Sequence, residues 1–376
     1  PLRHTDEILS ATVSSEWRGG LLSVIFKDMN ENVVQTTLSQ SFVTESGHRF
    51  EQADVSFKTW GKLNRSKTNV IVICHALTGN IHADEWFPGF FNEHGLVQTD
   101  EHFVICINVP GSCYGSIGPL SVNPDTGKPF LAGFPPITIR DMVRFQQQVL
   151  DDLNIQGIET VIGGSMGGMQ ALEFAAMDSR VRSAIPMAMG KCHTPWAIGI
   201  SHVQRQSIFN DPNWHGGYYK PDSSPDRGLS NARMMAMLSY RAPGDYESKF
   251  GRKLQPDTSL FQVESYLNYQ GKKLVDRFDA NSYITLTRAM DTHDISRGRG
   301  TFEETLAQIS IPILVVGIDT DLLYPVAEQR ELARLLQAGE FGEIESVHGH
   351  DAFLIEFEQL NRLTTEFFNQ FRSEVL

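Results

Sequence analysis

Apolar residues recur along this chain with two different rhythms. Alternation over 36–43 and again over 49–60, within residues 21–60, predicts antiparallel strands at the edge of a sheet. Unbroken apolar runs follow at Val70–Cys74, Phe103–Ile107, 160–163, 184–189 and 312–318. Runs of that length predict strands covered on both faces. A further strand is expected at about 343–347. Helical spacing fills the gaps between them. Thr138 caps a helix over 139–153, with Asp141 in its first turn. Ile139, Met142, Val143, Val149, Leu150 and Leu153 share one face of it. Another helix begins after Ser165, and a last one is expected over 351–371.

The alternation of strand and helix predicts an α/β fold, a mostly parallel central sheet with helices on both faces. The segment 110–136 is rich in Gly, Pro and aromatics, as expected of an ordered wall beside a cleft. The rhythm changes after Gly190. Residues 190–300 lack clear strands and are rich in Arg, Met, Tyr, Asn and Gln. We read them as a helical lid inserted into a core made of 1–189 and 301–376. Such a lid lies over the edge of the sheet where α/β proteins bind ligands, and it suits chemistry that excludes water.

At 376 residues the chain is long enough for one enlarged domain or a core with an insertion. A net charge of −13 argues against nucleic acid and against anionic membranes as partners. There is no apolar stretch of membrane-spanning length and no signal-peptide pattern at 1–20, so a cytoplasmic location is expected. The four cysteines show no C-x-x-C or Cys/His ligand spacing, which argues against a metal site. Cys74 and Cys106 lie within apolar strand runs, and free thiols in a reducing compartment are the expectation.

Candidate chemistry centres on residues 160–174, T-V-I-G-G-S-M-G-G-M-Q-A-L-E-F. Here G-x-S-x-G (163–167) stands between a strand and a helix, the context of a nucleophile elbow. The absence of Lys-Ser/Thr after the glycines excludes a Walker A loop. Ser165 becomes the candidate nucleophile. Developing negative charge would be met by two backbone N–H groups. One belongs to Met166, just after the serine, and the other to Leu77, in the small-residue turn after strand 70–74. His75 in that turn is expected to order it rather than to react.

A serine needs a base, and the base needs an orienting acid, in the chain order Ser, Asp/Glu, His. Strand 312–318 is followed by Asp319 and Asp321, and the D-x-x-[apolar]-P frame ending at Pro325 favours Asp321. After the last strand come His348 and His350. His350 is favoured because it directly precedes the final helix. His293 lies in the lid, in the wrong chain order.

With these residues assigned, the chain resembles the homoserine O-acetyltransferases of the α/β-hydrolase superfamily. The likeness rests on GGSMGGMQ together with HALTGN (75–80), NVPGSCYGSIGP (108–119), NPDTGKPF (123–130), DPNWHGGYY (211–219), RFDANSYITLTRAMDTHD (277–294) and GHDAFLIE (349–356). The resemblance implies acetyl transfer from acetyl-CoA to the hydroxyl of L-homoserine, an early step of methionine synthesis. It implies a ping-pong route through acetyl-Ser165, with acetyl-CoA as co-substrate and no permanently bound cofactor. It further implies that Arg233 binds the substrate carboxylate, with Tyr240 nearby, that Asp351 pairs with the substrate ammonium, and that the lid forms a homodimer. Arg205 and Arg241 are reserve candidates for the carboxylate. The same scaffold acting on succinyl-CoA or L-serine, or as a serine esterase, is the alternative.

Overall fold

The computed structural model describes residues 33–374 apart from residue 94, with side chains as far as residue 370. Residues 21–32 of the expected edge strands and the whole of 1–20 lie outside the described residues. The strands are β1 (Val33–Thr37), β2 (Phe42–Val43), β3 (Arg49–Phe50), β4 (Asp54–Trp60), β5 (Val70–Cys74), β6 (Phe103–Ile107), β7 (Val122–Asn123), β8 (Lys128–Pro129), β9 (Ile158–Gly164), β10 (Ala184–Met187), β11 (Ile313–Ile318) and β12 (Gly339–Ile344). The helices are α1 (Ala83–Trp86), α2 (Ile139–Asp152), α3 (Met166–Met177), α4 (Pro195–Phe209), α5 (Asp226–Tyr240), α6 (Pro243–Lys249), α7 (Gln262–Val275), α8 (Ala280–Asp291), α9 (Phe302–Ala307), α10 (Val326–Leu335) and α11 (Phe357–Glu374).

Among the described residues, eight strands form the main sheet in the order β1-β4-β6-β5-β9-β10-β11-β12. The pairings from β6 to β12 are parallel, and β1 and β4 are antiparallel. Both faces are covered, as the unbroken apolar runs require. Along β5, Val70, Val72 and Cys74 enter one core while Ile71 and Ile73 enter the other, following the two-residue strand period. The chain passes from β5 to β6 on one side and then crosses to β9 on the other. That reversal falls at the carboxyl ends of β5 and β9, the place where ligands of such sheets bind. The HALTGN turn and the Ser165 turn lie at these two strand ends.

Two boundaries differ from those read in the sequence. The last strand is 339–344 rather than 343–347. As the edge strand it pairs with β11 alone and is only half covered, so it lacks the strong apolar run of its neighbours. The final helix is broken. Gly349–Leu354 is a 3₁₀ segment, Ile355 leaves helical geometry (φ −129, ψ −46), and α11 starts at Phe357. The apolar spacing continues through the break and conceals it. The 110–136 wall holds a small hairpin, β7 with β8.

Helix α2 starts with a complete capping box. Thr138 accepts from the Asp141 N–H, and the Asp141 carboxylate accepts from the Thr138 N–H. Thr138 also donates to Glu45. Thr138→Ala removes the two hydroxyl contacts, with the Asp141 N–H and with Glu45, from a helix that backs the central strands. It is expected to lower stability by about 1–2 kcal/mol, measured as a fall in the urea midpoint with an unchanged slope.

Candidate active site

Ser165 stands between β9 and α3 with φ 56 and ψ −124, a backbone conformation that a side-chain-bearing residue adopts only under constraint. Its N–H donates to the Met187 carbonyl of β10 (2.9 Å), which fixes the turn against the sheet. The glycines follow from close approach. A Cβ at Gly167 would lie 2.1 Å from the Cys74 carbonyl oxygen, and one at Gly164 would lie 2.3 Å from the Phe353 ring. Phe353 belongs to the 3₁₀ segment that carries His350, and their rings are 5.6 Å apart. The bare Gly164 backbone is thus what allows the histidine segment to settle over the serine turn.

Asp321 and His350 come together as expected. His350 Nδ1 and Asp321 Oδ2 are 2.7 Å apart and both residues are buried. The other carboxylate oxygen accepts the N–H groups of Leu323 (2.8 Å) and Tyr324 (3.0 Å), so the acid is held from both ends. The His350 ring lies 5.5 Å from the Tyr240 ring and 5.4 Å from the Tyr324 ring. The competing residues are occupied elsewhere. Asp319 accepts the Ser346 N–H (3.0 Å), and His348 Nδ1 bonds Asp245 (2.9 Å). His293 bonds the Gly190 carbonyl through Nε2 (3.1 Å). Burial disfavours charge on His350, but the Asp321 carboxylate and its hydrogen bond, with Asp351 adding to them, raise its pKa above the ordinary 6.5.

The turn after β5 is built around His75. Its Nδ1 donates to the Ala76 carbonyl (3.0 Å) and its Nε2 accepts the Val109 N–H (3.2 Å). Burial lowers its pKa to about 4, so the ring is neutral and serves to order the turn. Thr78 follows at φ 61. Among the described residues, neither the Leu77 nor the Met166 N–H donates to a backbone carbonyl, and Met166 occupies the first position of α3, where amides are free. Two residues beyond those read in the sequence act here. Arg277 donates to the Thr78 carbonyl (2.7 Å) and to the Tyr114 hydroxyl (2.6 Å), tying residues 190–300 to this turn. Tyr324, an apolar place-holder in the aspartate motif, hydrogen-bonds His193 (3.0 Å). No periodicity marks either contact, because both join segments far apart in sequence.

The three arginines separate by their partners. Arg205 pairs with Asp291. Arg241 faces Asp351 (Nε to Oδ2, 3.1 Å) and Asp245 (3.5 Å). The Arg241 Nε is nonetheless buried without an aligned acceptor, so its attraction to Asp351 is Coulombic rather than a formed hydrogen bond. Arg233 lies over the Tyr240 ring (5.6 Å) and has no carboxylate within ion-pair distance among the described residues. Burial raises the Asp351 pKa against the opposing influence of Arg241, His350 and Arg233. Burial likewise pushes the Tyr240 hydroxyl up to about 12. Cys74 and Cys106 are buried free thiols, whereas Cys113 and Cys192 are half-buried. No group of side chains that could hold a metal occurs among the described residues.

A strained serine between strand and helix, with an aspartate-paired histidine from the sheet's far end, is the arrangement of an α/β hydrolase. A family model described as alpha/beta hydrolase fold matches residues 69–357. The homoserine O-acetyltransferase of Chlorobium chlorochromatii (strain CaD3) is 48% identical over 338 residues, which span 89% of this chain and 94% of that protein. That of Salinibacter ruber (strain DSM 13855 / M31) is 48% identical over 338 residues, 88% of this chain and 96% of that protein. Among solved structures, homoserine O-acetyltransferase from Bacillus anthracis superposes with a TM-score of 0.83 at 27% identity, covering 90% of this chain and 98% of that one. Esterase E22 superposes with a TM-score of 0.81 at 26% identity, covering 89% and 99%. Within the α/β-hydrolase superfamily, the chain belongs to the homoserine O-acetyltransferase family.

A buried histidine must be neutral to take a proton, so with His350 as the base the rate would rise with pH through its pKa. The acid limb of kcat/KM for acetyl-CoA is expected above pH 6.5. Asp321→Asn removes the larger of the two influences that raise this pKa and leaves burial, which lowers it, opposed by Asp351 alone. That variant is expected to lose about 10³–10⁴ in kcat and to show its remaining acid limb at lower pH, both read from one pH–rate profile.

Proposed function

We propose that the protein moves an acetyl group from acetyl-CoA to the hydroxyl of L-homoserine through an acetyl-Ser165 intermediate. His350, held by Asp321 through Nδ1, takes the Ser165 proton at Nε2. Ser165 Oγ bonds to the thioester carbonyl carbon. The oxygen of the tetrahedral species carries the negative charge and rests on the Leu77 and Met166 N–H groups. Collapse breaks the C–S bond, and CoA leaves with the proton from His350. Homoserine then loses its hydroxyl proton to His350 and bonds to the acetyl carbon, and the C–O bond to Ser165 breaks as His350 returns the proton. Each oxyanion donor is worth about 3–4 kcal/mol of barrier lowering in such sites.

The observation that carries the choice of acceptor is Arg233. A half-buried guanidinium without an anion is a costly arrangement unless a ligand supplies one. The homoserine carboxylate completes it, with Tyr240 between Arg233 and the His350 ring. The substrate ammonium pairs with the Asp351 carboxylate beside Arg241. Residues 190–300 act as the lid over this site. Their exposed Trp196 and Leu238, with Val203, support a homodimer formed through the lid. The structural likeness to esterase E22 makes ester hydrolysis the second reading, since the nucleophile chemistry is shared. An esterase has no use for an unpaired Arg233.

The test is CoA release with acetyl-CoA or succinyl-CoA as donor and L-homoserine or L-serine as acceptor. Acetyl-CoA with L-homoserine is expected to be the productive pair, and rates indifferent to homoserine would favour the esterase. Arg233→Ala is expected to raise the KM for homoserine about 100-fold, for loss of a charge-assisted contact of roughly 2–3 kcal/mol. The rate of Ser165 acetylation by acetyl-CoA alone is expected to stay unchanged in that variant.

A further inference from the structure

The two N–H groups assigned to the oxyanion lie on separate segments. Leu77 follows β5, and Met166 starts α3. Stabilising a transient oxyanion requires both donors to be held within tenths of an ångström of its position. We infer that Gln170 is the positioning residue that joins these two halves. The inference rests on the reading of Leu77 and Met166 given above and extends it to a residue with no assigned role.

Gln170 is fully buried one turn after the serine. Its Nε2 donates to the Met166 carbonyl (3.0 Å) and to the His75 carbonyl (3.3 Å). One amide nitrogen therefore bonds the residue that supplies one oxyanion N–H and the residue two positions before the other. Its Oε1 accepts from Gln146 Nε2 (2.7 Å), a second fully buried amide on α2. That partner sets the orientation. A flipped carboxamide would press its oxygen against two carbonyls and its nitrogen against the Gln146 nitrogen. Gln146 Oε1 in turn lies 3.8 Å from Cys74 Sγ, at the end of β5. The chain Cys74–Gln146–Gln170 thus returns to the turn it braces.

A bond from a helical glutamine to the carbonyl four residues back needs no function. The bond to His75 leaves the helix and crosses to the turn after β5. Burying a carboxamide among the apolar residues of α3 is unfavourable unless its groups are satisfied, and a methionine would fill the same space without that demand. From the far side, Arg277 holds the Thr78 carbonyl (2.7 Å), so Leu77 is fixed between two anchored neighbours. Gln170 is the anchor shared with Met166.

The test compares wild type, Gln170→Met and Gln170→Glu. Both variants keep the volume and lose the donated pair. Rapid-quench mass spectrometry follows acetyl-Ser165 formation from acetyl-CoA alone, and steady-state kinetics gives kcat and KM. Removing a whole oxyanion donor costs about 10²–10³ in kcat, so loosening two donors is expected to slow acetylation and kcat about 10- to 100-fold, with both KM values within about threefold. A purely structural role would lower the melting temperature without this split. Acetylation within about threefold of wild type in a folded variant overturns the inference, as does a loss carried by KM alone. Should neither variant fold, Gln146→Met, which removes the donor that orients the Gln170 carboxamide together with the contact to Cys74 Sγ, carries the same two outcomes. A wild type that acetylates while Gln170→Met also acetylates at full rate removes the brace alone. A wild type that forms no acetyl-Ser165 removes the oxyanion reading and the brace with it.

Discussion

The approach of three backbones at Ser165 constrains everything around it. The β5 end presses its Cys74 carbonyl where a Gly167 side chain would stand, and β10 holds the Ser165 amide through Met187. Between them the serine is kept at φ 56. Strain of this kind amounts to roughly 1–3 kcal/mol and persists only where packing over-determines it. The packing here comes from the parallel strands themselves, buried on both faces. The same close approach leaves Gly164 bare, and on that bare backbone Phe353 seats the segment carrying His350.

A second layer of contacts binds residues 190–300 to the reacting groups. Arg277 reaches the Thr78 carbonyl beside Leu77, and His193 bonds the Tyr324 hydroxyl beside Asp321. Trp196 donates to the Leu322 carbonyl in the same acid-bearing loop (2.7 Å). Burial lowers the His193 pKa to about 3, with His293 and Arg205 acting in the same direction, so its ring is neutral where it meets the Tyr324 hydroxyl. These bonds reach the oxyanion turn and the acid loop by separate routes. A shift of residues 190–300 would therefore disturb both the turn after β5 and the loop that carries Asp321, the two sides of the proposed site.

Much of the main sheet could be read from the chain because parallel strands buried on both faces are unbroken apolar runs, as at Val70–Cys74 and Phe103–Ile107. The α2 start was legible because a capping box is local chemistry between Thr138 and Asp141. The pairing of His350 rather than His348 with Asp321 followed from chain order and position before the last helix. What escaped was non-local or half-exposed. β12 is an edge strand with a weak apolar signal, and the break at Ile355 is masked by continuing apolar spacing. That Asp351 faces Arg241 could not be read, because it depends on how the chain after α5 packs on the histidine segment. Gln170 did leave a trace, a carboxamide inside an otherwise largely apolar helix, but its partners on α2 and β5 are visible only in three dimensions.

The central claim is that one serine oxygen carries the acetyl group between two substrates that never meet. Initial velocities with acetyl-CoA and L-homoserine varied together test it most directly. Parallel double-reciprocal lines are the predicted result. Lines that intersect would require both substrates bound at once and would contradict the account.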